Sequence, residues 1–93
     1  MSSIVARIKI LPIDAGITSK DIVESIKDNL PNGVFIKNEN EEPIAYGLIA
    51  TFLDIMLEEK EGLMDIVEES IRSSKIVSQV DIIGVSRTSA NIR

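Results

Sequence analysis

The sequence predicts an α+β fold in two layers with the element order βαββαβ. Three observations carry that prediction. Residues 4–11 and 76–87 alternate apolar and polar side chains with a period of two. Residues 22–30 and 63–72 repeat apolar side chains at helical spacing. Pro12, Gly16, the segment "PNG" and the segment "EEKEG" separate these patterns with chain breakers.

The first strand, "IVARIKIL", points Ile4, Ala6, Ile8 and Ile10 one way and Val5, Arg7 and Lys9 the other. Thr18 then caps a helix whose third position is Asp21, close to a capping box, with Ile17 and Ile22 as the hydrophobic staple. Ile22, Val23, Ile26 and Leu30 form its buried stripe, and Lys20, Glu24, Lys27 and Asp28 lie outside it. Residues 34–39, "VFIKNE", read as a second, short strand. An acidic loop through Pro43 leads into "AYGLIATFLDIML", residues 45–57, whose near-continuous apolarity suits a covered central strand. After the "EEKEG" loop a second, weakly capped helix over 63–72 turns Leu63, Val67 and Ile71 inward and Asp65, Glu68, Glu69 and Arg72 outward. In the last strand Ser78, Val80, Ile82 and Gly84 oppose Val77, Gln79, Asp81, Ile83 and Val85.

Two split βαβ units with right-handed crossovers interleave into a four-stranded antiparallel sheet of order 4-1-3-2 with both helices on one face. This is the ferredoxin-like plait, expected here as one domain over residues 1–93. With the first strand central, Arg7 and Lys9 are expected to lie between Asp54 and Asp81 as cross-strand ion pairs on the open face.

Composition narrows the function. The chain has 93 residues and neither cysteine nor histidine, which removes disulfides, thiolate and imidazole metal ligands and the usual nucleophile–base pairs. Its carboxylates do not follow a calcium-loop spacing, so neither metal nor cofactor is expected. A net charge of -5 opposes direct docking on nucleic acid and favours a basic protein partner. No segment approaches the apolar length that spans a bilayer and no signal peptide is evident, so a cytoplasmic protein is expected.

"VARIKILP", "EEPIAYGL" and "VSQVDIIGVSR", in this order and spacing, resemble the archaeal translation elongation factor 1-beta family, of which "EEPIAYGL" is the most specific piece. The resemblance implies the same plait and a guanine nucleotide exchange factor that opens the GDP-bound alpha subunit, the aminoacyl-tRNA-delivering elongation GTPase, without covalent chemistry or a cofactor. It implies that Arg87 meets the GTPase's magnesium and phosphate site. It further implies that Tyr46, flanked by Pro43, Ile44 and Gly47, enters a pocket on a second GTPase domain. In a sheet of order 4-1-3-2 these two features belong at opposite ends, on the order of 30 Å apart. Two departures from the family pattern stand out. "EEKEGLMD" stands where relatives carry a Gly-Gly-Thr turn, and "TSANIR" follows Arg87, so that either Arg87 is still the tip and the tail swings aside or Arg93 shares the task.

Plainer readings exist for the same residues. Tyr46 suits a strand opening, Arg87 a solvated terminus, Pro43 a hairpin end and Gly47 a bulge. Glu39, Glu41 and Glu42 suit a solvated loop or contact with a basic patch. Leu48, Phe52, Met56, Ile83 and Val85 would make the open face a contact or self-association surface. The rival function is a small-molecule-binding or subunit-interface regulatory plait. An RNA-binding plait lacks the aromatics on its first strand, and a small-phosphate enzyme lacks the Arg-bearing loop after it.

Overall fold

A computed structural model describes residues 3–88. The elements are β1 (Ser3–Pro12), α1 (Ser19–Ile26), a 3-10 turn (Lys27–Asn29), β2 (Phe35–Pro43), a second 3-10 turn (Ala45–Gly47), β3 (Ile49–Glu58), α2 (Leu63–Arg72) and β4 (Val77–Thr88). The sheet runs β2-β3-β1-β4 with antiparallel neighbours, which is the order expected from sequence read from the other edge.

One core forms between sheet and helices. The rungs Ala6–Ile55 and Ile8–Leu53, with Ile10 and Leu57 along the same face, meet Ile22 and Ile26 of α1 and Val67 and Ile71 of α2, all essentially inaccessible to solvent. Each buried branched aliphatic contributes about 1.5–3 kcal/mol relative to exposure. The expected capping box is present at α1: the Asp21 N–H donates to Thr18 Oγ1 at 3.3 Å, and the Thr18 N–H donates to Asp21 Oδ2 at 3.0 Å. α2 has no side-chain cap, and Gly62 at φ 84 makes a left-handed entry into the helix.

Three boundaries differ from the sequence reading. α1 stops at Ile26 and tightens into the 3-10 turn, although Leu30 still packs on the core. β2 continues to Pro43, so Glu39, Glu41 and Glu42 lie on an edge strand and not in a loop. Charge along such an edge disfavours pairing with another chain. β3 starts at Ile49, because Tyr46 and Gly47 adopt positive φ and cannot continue a pleated strand.

Bulges correct the expected facing of β4. Arg7 pairs with Gly84 while Ile8 pairs with Ile82, leaving Ile83 as the extra residue. Leu11 pairs with Gln79 while Pro12 pairs with Val77, leaving Ser78, whose hydroxyl donates to the Leu11 and Pro12 carbonyls. Val77 therefore returns to the buried side, Gly84 faces outward, and Val85 and Arg87 move to the helix side of the sheet, opposite Ala6 and Ile4.

On the open face the Arg7 guanidinium binds both oxygens of Asp54, at 2.8 and 3.0 Å, and Asn38 donates to the same carboxylate at 3.3 Å. The bond from Arg7 holds the Asp54 carboxyl below its ordinary range. The second expected pair does not form: Lys9 stands opposite Asp81 in the ladder, but Asp81 accepts from Gln79 and the Lys9 ammonium sits 6.0 Å from the Phe52 ring centroid. Val85 lies on the helix side of the sheet, while on the open face Leu48, Phe52 and Met56 are half-buried and Phe35, opposite Met56, is 64% exposed.

Candidate functional site

The two features singled out in the sequence occupy opposite ends of one sheet. At one end β2 and β3 are joined by a tight turn closed by the Ile44 N–H donating to the Leu48 carbonyl at 2.8 Å and the Leu48 N–H donating to the Ala45 carbonyl at 3.2 Å. Tyr46 stands at its tip, 94% exposed, with φ 64 and ψ 27. A left-handed backbone is uncommon for a residue with a β-carbon, and here it leaves the ring clear of both faces of the sheet. Gly47 follows at φ 76, and a β-carbon there would lie 3.4 Å from Ala15 Cβ, so the turn rests on the loop between β1 and α1. Pro43 closes the last rung with Ile49, and Ile44 is partly exposed beside it. Pro43, Ile44, Tyr46 and Gly47 thus form one contiguous tip.

Carboxylates tie the base of this hairpin to α1. The Ser19 N–H, at the first position of the helix, donates to Glu41 Oε1 at 3.1 Å, and the Ser19 hydroxyl donates to Glu39 Oε2 at 3.3 Å. Hydrogen bonding to Ser19 holds the Glu41 carboxyl below its usual range.

Arg87 lies at the other end, in the rung Arg87–Ile4–Leu57. Eight residues of β3 separate Leu57 from Ile49, so the two ends are about 27 Å apart before the turn is added. The Arg87 side chain is 67% exposed and donates to Glu59 Oε2 in the loop before α2, a contact whose hydrogen bond and charge raise the guanidinium pKa. Arg93, expected to share the task if the tail does not swing aside, lies outside the described residues.

Four parts of this geometry were missed in the sequence: the left-handed Tyr46, the tie of Glu39 and Glu41 to Ser19, the Glu59 partner and the bulge that re-aims Arg87. Only the bulge left a signal, since a glycine inside a strand pattern, as at Gly84, marks a break in the ladder.

A family model described as the EF-1 guanine nucleotide exchange domain matches residues 5–88, which contain both ends of the sheet. The chain belongs to this family. Among its relatives, an elongation factor 1-beta of Aeropyrum pernix is 39% identical over 88 residues, covering 94% of this chain and 98% of that protein. Staphylothermus marinus has one 38% identical over 88 residues, with the same coverage. The elongation factor 1-beta of Methanothermobacter thermautotrophicus is 30% identical over 87 residues, again covering 94% and 98%. The sheet is built of antiparallel strands, and among the described residues no helix is long and apolar enough to cross a membrane.

Proposed function

We propose that this chain is the guanine nucleotide exchange factor of the translation elongation GTPase, promoting GDP release and GTP reloading by touching two domains of the GDP-bound protein at once. The observation that carries the reading is the placement of a projecting aromatic and an accessible cation at opposite ends of one sheet. Family membership supports the reaction and the class of partner.

The chemistry follows from the two ends. Tyr46 presents apolar area on a backbone already set in its protruding conformation, so little ordering is left for binding to impose. It holds one GTPase domain. Arg87 is then brought to the other domain, where a P-loop hydroxyl and an aspartate hold magnesium against the nucleotide phosphates. A guanidinium competes for that aspartate as it already engages the carboxylate of Glu59. Weakening the magnesium weakens GDP. Coupling between two ligands is reciprocal, so incoming GTP with magnesium expels the factor in turn, and the cycle repeats without a covalent step. The factor is in this sense no chemical catalyst.

Release of labelled GDP from the cognate elongation GTPase tests the reading. The wild type is expected to accelerate release, and Arg87→Ala to lower the maximal rate by about 30-fold or more, the scale set by truncating one side of a desolvated ion pair. An unchanged maximal rate in Arg87→Ala removes this side chain from the mechanism. No acceleration by the wild type removes the function.

A further inference from the structure

The hairpin that carries Tyr46 outruns its neighbours. β1 supports β3 only as far as the rung Ile10–Thr51, while β2 and β3 continue together through Glu42–Ala50 and Pro43–Ile49. Beyond Thr51 the arm is a two-stranded ribbon, and such ribbons twist more freely than strands held on both sides. Glu41 sits opposite Thr51, at the rung where the pairing of β3 with β1 ends. Its side chain points to the helix side and accepts the Ser19 N–H, one of the donors that a helix N-terminus leaves unused and at the positive end of the α1 dipole. Glu39, one pleat further back, takes the Ser19 hydroxyl. The ribbon is therefore pinned at its root to a helix embedded in the core by Ile22 and Ile26.

We infer that Glu41 is a positioning residue for the Tyr46 contact: its bond to the first turn of α1 fixes the direction in which the ribbon projects. The inference rests on Tyr46 gripping the GTPase as proposed above. The bond needs an acceptor oxygen at this place, so glutamine, which keeps one, substitutes for glutamate, whereas alanine does not. An acid that merely attracted a basic partner would behave oppositely, with glutamine as poor as alanine.

Two measurements on Glu41→Ala, Glu41→Gln and Tyr46→Ala, alone and combined, decide it. In the free protein, the Ile44 and Leu48 amides that close the turn are expected to exchange with solvent about fivefold faster in Glu41→Ala, the factor that one ordinary hydrogen bond provides, with Ile8 and Leu53 unchanged. In labelled-GDP release, Glu41→Ala is expected to raise the half-saturating factor concentration by about fivefold at an unchanged maximal rate. Glu41→Gln should lie near wild type, and adding Glu41→Ala to Tyr46→Ala should cost nothing further. Unchanged exchange at Ile44 and Leu48, additive losses in the double variant, or a glutamine variant as impaired as alanine each overturn the inference. Should the wild type fail to accelerate GDP release, the exchange-factor reading falls, and the amide measurement still decides whether Glu41 fixes the arm.

Discussion

The two ends of the sheet are held by different physics. The Tyr46 end is fixed by backbone: consecutive positive φ values, two turn hydrogen bonds and a tie to a helix terminus set the ring's direction before any partner arrives. The Arg87 end is fixed by register and by one solvent-exposed ion pair that a competing carboxylate can replace. A grip is better for being rigid in the free protein, because binding then freezes little. A probe that must leave one carboxylate for another is better served by a weak resting contact, and exposed ion pairs are weak.

The largest test of this contrast is at Tyr46. Tyr46→Ala is expected to weaken the complex with the GTPase by about 30-fold, the scale of a hot-spot aromatic, and equal affinity would return the residue to a structural role. Tyr46→Gly separates grip from strain: it should lose the same affinity, yet raise unfolding free energy by about 1 kcal/mol, because glycine adopts the left-handed backbone without the β-carbon penalty. A destabilised glycine variant in urea unfolding would show that the backbone here is unstrained.

The Arg87 end predicts a smaller effect of opposite sense. Glu59→Ala frees the guanidinium from its resting partner, so labelled-GDP release should quicken by about two- to threefold at subsaturating factor, as befits an exposed pair. Slower release would mean that Glu59 presents Arg87 to the partner and does not compete for it.

Between the ends, the Arg7–Asp54 pair stiffens the plate, and its titration gives the smallest signal. The folded Asp54 carboxyl lies below its ordinary value of 3.8, so its contribution is fully present above that pH and is lost as pH falls through the lower folded value. The stability difference between wild type and Asp54→Asn should therefore be flat above about pH 5 and narrow below about pH 4. A difference that persists unchanged into acid would assign the effect to packing.

Much of this was readable in the residues. Period-two strands, the Thr18 cap and the apolar stripes of both helices gave element order and core, because local spacing and burial determine them directly. The Arg7–Asp54 pair followed from strand order alone. "AYGL" read as strand because its apolarity outweighed a turn that depends on the backbone state of Tyr46, which composition does not encode. Glu41 read as loop because its partner, the Ser19 N–H, comes from 22 residues away. Facing along β4 failed at Ser78 and Ile83, since a bulge is a relation between two strands and one strand's alternation cannot reveal it.

That spare residue at Ile83 separates how far the chain reaches from which way it points. Inserting or deleting one residue between there and Arg87 would leave the guanidinium within one rung of its present height but would turn it to the opposite side of the sheet. The aim of the cation is thus written in the parity of a short stretch of edge strand, and is far more sensitive to length changes than to substitutions along it.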